Sequence, residues 1–265
     1  MRHARRSRAG GREQAIDELF STRGLEAEPV GRALDAGFSL RPFAADIPTD
    51  PSLDPLAEAM PPAERELRRA LDAAARNRPL EAIQRLQELV SREPAHVAAR
   101  RELATLLEAA GDPDGALEHL DAAVSHAPDD AGLHIARGTV HGRLKHYPEA
   151  EADLRRALKV TPDSASAHHQ LGLVLFRKGV APEAAATFRR AIALLPEHAA
   201  SHYYLGEALS QLNEFPAALA ALQQAIVLAP GEARAFQLAG RILDKLKRPD
   251  EAREMYRRAR EARPA

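Results

Sequence analysis

The 265-residue chain carries 37 basic and 38 acidic side chains, a formal net charge of -1, with 45% hydrophobic and 4% aromatic residues. That balance fits a chain that folds and argues against a general nucleic-acid binder, which shows basic excess. Cysteine is absent, which excludes disulfides and thiolate chemistry, and no run approaches 18 apolar residues, so no membrane-spanning helix is expected.

Residues 1–12 are basic and glycine-containing, and a solvated, disordered tail is expected. The opening MRHARRSRAGGREQ carries charge with no apolar run behind it. No secretory signal is expected, and the expected location is cytoplasmic. Residues 13–22 are compatible with a short helix whose Ile16, Leu19 and Phe20 share one side, and a second helix is compatible with 29–36, between Pro29 and Gly37. Such short helices are marginal in water. Their apolar sides, together with Phe38, Leu40 and Phe43, would cap the first repeat of the array described next, fill its groove, or stay loose. Residues 41–62 contain Pro42, Pro48, Pro51, Pro55, Pro61 and Pro62, so the 13–62 stretch ends as a linker or irregular arm.

From residue 63 a period of 34 takes over. Gly138, Gly172, Gly206 and Gly240 fall in one column, and Ala150, Ala184, Ala218 and Ala252 in a second. Ala157, Ala191, Ala225 and Ala259 form a third, and Pro162, Pro196, Pro230 and Pro264 close each copy. Small residues at a fixed period of this length mean stacked helix pairs. Six units result, at 63–96, 97–130, 131–164, 165–198, 199–232 and 233–264. Each reads as helix A, a turn, helix B and a second turn. Pro79, Pro113, Pro148, Pro182, Pro216 and Pro249 sit near the start of helix B, where no backbone donor is needed and the ring's dihedral already suits a helix. Glycine in mid-helix costs about 0.5–1 kcal/mol relative to alanine, and close approach of helices A and B is the expected compensation. Ala184 is expected at that crossing and Ala191 against the next unit.

These columns resemble the tetratricopeptide repeat over 63–264. The resemblance implies an all-α, right-handed superhelix of antiparallel helix pairs. It also implies a concave groove, lined by the A helices, that takes an extended peptide or a helix from a partner. Members are mostly adaptors, co-chaperones or assembly factors. Matched by register, the groove is lined by Arg101, Ile135, Arg143, His169, Leu173, Phe176, Arg177, Tyr203, Glu207, Arg241 and Lys245. Phe176 and Tyr203 are the expected anchors, since aromatics are typical hot spots. The lysine–asparagine clamp of the co-chaperone type is missing: its lysine places hold Arg101, Ile135, His169 and Tyr203.

The bulky position early in helix A departs from the pattern, with His134, His168 and His202 in one column. They are expected as half-buried spacers whose rings lie flat between units. One per unit, they are too far apart to share an ion, and a pH-sensitive surface is a further possibility. No glycine-rich phosphate loop, HExxH run or credible strand is present, so no enzyme, metal or cofactor is expected. The expected function is to hold an unidentified protein partner, with no nucleic acid or membrane. The alternative is self-association through the last repeat, whose final helix would expose Ala252, Met255 and Ala259 unless Arg253, Arg257 and Arg260 solubilise it.

Overall fold

The computed structural model describes residues 60–262. The tail 1–12, the short helices at 13–22 and 29–36, the proline-rich stretch up to 59 and the closing Pro264 lie outside the described residues. Within them are twelve α-helices and no strand. They come in pairs: α1 (Pro62–Ala75) with α2 (Pro79–Arg92), α3 (Val97–Ala109) with α4 (Pro113–His126), and α5 (Ala131–Arg143) with α6 (Tyr147–Val160). Then follow α7 (Ala165–Arg177) with α8 (Ala181–Leu194), α9 (Ala199–Gln211) with α10 (Phe215–Leu228), and α11 (Ala233–Lys245) with α12 (Pro249–Glu261). Each pair occupies one 34-residue repeat.

The helix ends repeat as strictly as the columns. Every B helix has proline as its first or second residue, where the missing N–H would have no partner in any case. Several A helices are capped by the residue before them. Asp130 Oδ1 accepts from Leu133 N at 3.1 Å, Ser164 Oγ from Ala167 N at 3.2 Å, and His96 Nδ1 from Ala99 N at 3.2 Å. Each satisfies one of the orphan donors of the first turn.

The A–B turn is built the same way six times. Asn77, Gly111, Lys145, Gly179, Asn213 and Lys247 all have positive φ, between 58° and 85°. At Gly179, the Gly179 N–H reaches Phe176 O at 3.0 Å and the Val180 N–H reaches Leu175 O at 2.9 Å. This pair of bonds closes the last turn of an α-helix through a left-handed residue. It recurs at Lys247, with Lys247 N to Asp244 O at 3.0 Å and Arg248 N to Leu243 O at 2.9 Å. The requirement for positive φ explains glycine or asparagine at four of the six places.

The described residues form two compact bodies, one of 60–94 with Glu102–Ala116, the other of Ala95–Arg101 with 117–262. In the first, α1 lies on α2, with Leu86 and Leu89 almost wholly buried. In the second, one apolar core runs from Ala150 to Ala252. There the glycine column marks where helices A and B touch. A Cβ built on Gly172 would fall 2.6 Å from Phe188 Cε1, and one on Gly206 would fall 2.7 Å from Leu222 Cγ. Gly240 meets Tyr256 Cε1 at 2.6 Å and Gly138 meets Leu154 Cγ at 3.0 Å. The partner is one further column, Leu154, Phe188, Leu222 and Tyr256, at the same period.

One expectation is corrected here. Ala252 and Ala259 are buried, not exposed, because α12 turns them onto α11, its own hairpin partner. The outer side of α12 is charged, with Arg257 bonded to Glu254 and Glu261 and Arg253 to Asp250. In the histidine column His168 and His202 are half-buried, as expected, and His134 is buried. His134, His168 and His202 each direct Nε2 at the carbonyl of the proline six residues earlier, at 2.8, 2.9 and 2.9 Å. The rings tie helix A to the turn that precedes it.

Candidate functional site

The A helices of the second body position most of the side chains expected in the groove, and the structure separates them by burial. His169 and Leu173 on α7 are buried, at 2% and 8% exposure. His169 does not offer an accessible ring. Its Nδ1 lies 2.9 Å from Ser201 Oγ, and burial pushes its pKa down to about 3. Ile135 and Phe176 are half-buried, while Arg101, Arg143, Arg177, Arg241 and Lys245 are exposed. Arg177 donates to Gly142 O at 3.3 Å, bracing α7 against α5.

Phe176, Tyr203 and Tyr204 form a chain of rings. Tyr204 lies 6.3 Å from Phe176 and 5.1 Å from Tyr203 between centroids, both edge-on. Edge-to-face contacts of this kind add stability beyond the area buried. The two aromatics expected to anchor a partner are thus joined through Tyr204, which sequence reasoning did not single out. Lys245 takes a different place, with Nζ 5.0 Å from the Phe215 ring centroid.

Tyr203, Glu207 and Arg241 do come together, and Arg234 joins them. The Arg234 guanidinium sits 5.6 Å from the Tyr203 centroid, within cation–π range. Burial, reinforced by Glu207, pushes the Tyr203 hydroxyl up to about 12. Burial also raises the Glu207 carboxyl, against the pull of Arg241 and Arg234. Next to this cluster a cavity of about 460 Å³ opens between α9, α11 and α12. Tyr203, Arg234, Gln237, Arg241, Tyr256 and Arg260 line it. Arg234, Tyr256 and Arg260 were not picked out as site residues. Tyr256 was legible as the last member of the large-residue column Leu154, Phe188, Leu222 and Tyr256 of helix B. Arg234 and Arg260 carry no sequence signal that separates them from the other arginines of the last repeat.

No group of three or more His, Asp or Glu arranged to hold a metal occurs among the described residues. No helix among them is long and apolar enough to cross a membrane.

Comparison with known families matches the tetratricopeptide repeat over residues 73–140, and again over 135–199, 171–233 and 203–265. The chain belongs to the tetratricopeptide repeat family. Such repeats are protein-interaction scaffolds, and the family is generally non-enzymatic. Among solved structures, MamA is 25% identical, with a TM-score of 0.56, over 60% of this chain and 94% of that one. PilF of Pseudomonas aeruginosa is 19% identical, with a TM-score of 0.66, over 73% of this chain and 88% of that one. YrrB, described as a tetratricopeptide repeat protein with an unusual peptide-binding site, is 22% identical, with a TM-score of 0.56, over 68% and 92%. No curated protein sequence matches this repeat protein.

Proposed function

We propose that this tetratricopeptide repeat protein is an adaptor or assembly factor that holds a segment of a partner protein on the A-helix side of its array, centred on the last three repeats. In this reading residues 63–264 are the holding array, and 1–12 and 13–62 are a tail and an arm outside it. The observation that carries the reading is the run of rings and charges from Phe176 through Tyr204 and Tyr203 to Arg234. Half-buried aromatics bordered by arginine make up the surface on which truncation typically costs most binding energy. Arg143, Arg177, Arg241 and Lys245 are exposed, Lys245 beside the Phe215 ring, and favour a partner with some carboxylates. Arg101, Ile135, His169, Leu173 and Glu207 complete the expected lining, with His169 and Leu173 acting from beneath the surface as supports.

Affinity capture with the intact protein and with the double variant Phe176→Ala, Tyr203→Ala tests this. The variant is expected to lose the partners that the intact protein recovers, at unchanged helical content. Equal recovery by both contradicts the proposal. Self-association through the last repeat has no comparable support, because the exposed side of α12 carries paired charges in place of the apolar residues that reading required.

A further inference from the structure

The last repeat is rich in arginine, and its arginines divide sharply. Arg234 is bonded to Glu232, Arg248 to Glu251, and Arg253 to Asp250. Arg257 and Arg258 share Glu254. All of these except Arg234–Glu232 are i, i+3 or i, i+4 pairs, the spacings at which side chains meet on a helix. Arg241 and Arg260 have no carboxylate within ion-pair distance among the described residues, and both line the same cavity.

The carboxylates nearest that cavity are occupied. Asp244 accepts the Tyr256 hydroxyl at 2.7 Å, and Glu232 is taken by Arg234 at 3.0 Å. Glu207 is half-buried and hydrogen-bonded to Tyr203, and burial raises its carboxyl against the pull of Arg241 and Arg234. Two guanidinium groups therefore face an opening of about 460 Å³ whose other walls include the rings of Tyr203 and Tyr256. That volume accommodates two or three side chains, not a folded domain. Guanidinium pairs bind carboxylates in a two-pronged, planar manner, and the neighbouring rings suit an aliphatic or aromatic side chain between them.

From this charge complementarity we infer that the cavity between α9, α11 and α12 receives an acidic segment of a partner protein, with side-chain carboxylates on Arg241 and Arg260 and an apolar residue against Tyr203 and Tyr256. The inference rests on the adaptor reading and specifies which chemistry the partner brings to its last repeat. The bond is electrostatic in its outer part, so it weakens as salt rises.

The test uses the full chain and a labelled peptide, acetyl-Asp-Glu-Leu-Phe-Asp-Glu-amide, followed by fluorescence anisotropy. Saturable binding is expected at low salt, weakening several-fold between 50 and 300 mM sodium chloride, on the order of what screening allows. The double variant Arg241→Gln, Arg260→Gln is expected to lose about tenfold or more, in line with removing two charge-assisted pairs. Arg253→Gln, Arg257→Gln removes the same charge from paired arginines and is expected to bind as the intact protein does. Equal loss in both double variants, or equal binding of the Asn/Gln form of the peptide, overturns the inference. So does the absence of saturable binding. A second peptide covering residues 44–58 of this chain carries Asp46, Asp50, Asp54 and Glu58. If that peptide binds tenfold tighter than the first, the occupant is the chain's own segment and the partner assignment is overturned. All four substituted arginines are exposed, so the variants are expected to fold, and circular dichroism checks this. The capture experiment with Phe176→Ala, Tyr203→Ala is read separately. Partners that depend on those rings while the acidic peptide fails leave the adaptor reading standing without its acidic specificity.

Discussion

His169 Nδ1 lies 2.9 Å from Ser201 Oγ, a buried bond that ties α7 to α9 across two successive repeats. Ser201 is wholly buried, and its Oγ also lies 2.7 Å from His198 Nδ1. The Ser201 N–H donates to that same His198 Nδ1 at 3.3 Å, which makes it an acceptor. The hydroxyl proton of Ser201 therefore points to His198, and the Nδ1–H of His169 points to the hydroxyl. His169 Nε2 is then a bare lone pair, buried with no partner among the described residues.

This arrangement requires both rings to be neutral. A proton on His198 Nδ1 collides with two donors, and one on His169 Nε2 is buried unpaired. Burial lowers both pKa values, that of His169 from 6.5 to about 3. The unfolded chain binds protons near pH 6.5 while the folded one does not, so stability is full above 6.5 and falls as pH drops towards the folded value. His169 alone contributes a loss of about 2 kcal/mol between pH 7.5 and 5. Urea midpoints at the two pH values measure it. In His169→Leu the loss is expected to shrink by about that amount, and an unchanged pH dependence contradicts the assignment.

The helix crossings give a steric prediction. Gly172→Ala gains helix propensity but places a methyl 2.6 Å from the Phe188 ring, which is itself fully buried. Overpacking is expected to win, with a net destabilisation of about 1–3 kcal/mol. Combined with Phe188→Leu, which shortens the opposing side chain, the same substitution is expected to cost less. Chemical denaturation of the four proteins of this cycle gives the coupling.

Lys247 and Lys145 occupy the left-handed turn position that glycine holds in two other repeats. An L-residue there costs roughly 1–2 kcal/mol, part of which glycine returns as unfolded-state entropy. Lys247→Gly is expected to stabilise the protein by about 0.5–1 kcal/mol in thermal or urea melts, with no change in helical content. A loss of stability contradicts this account of the turn.

Asp153 is 6% exposed and receives Arg137 through Nε at 2.8 Å and Nη2 at 2.6 Å, with His134 Nδ1 3.2 Å away. Removing the carboxylate leaves a partly buried guanidinium unpaired. Asp153→Ala is expected to cost about 2–4 kcal/mol in urea melts, below the cost of a fully buried pair because Arg137 retains access to Asp121.

The array was legible because its signals are steric. A glycine that must admit Phe188, and a proline that suits the start of a helix, leave few alternatives at Gly172 or Pro182, so the 34-residue period shows through. The turn column was partly hidden, because Lys145 and Lys247 occupy a conformation that their identity does not advertise. The site was less legible for two physical reasons. Register places His169 on the groove side of helix A, but the Ser201 hydroxyl that covers it belongs to the next repeat. Ala252 and Ala259 looked exposed because nothing follows them in the pattern, whereas helix α12 buries them on its own partner. The difference between Arg241 or Arg260 and the paired arginines lies in side-chain geometry.

Hydrogen exchange of this protein, alone and with a partner recovered by capture, tests the holding surface most directly. The account predicts slowed exchange concentrated in α7, α9 and α11, strongest around Phe176 and Tyr203. Protection confined to the exposed ends of the B helices, such as Val227 and Leu228, with α7, α9 and α11 unchanged, would contradict it.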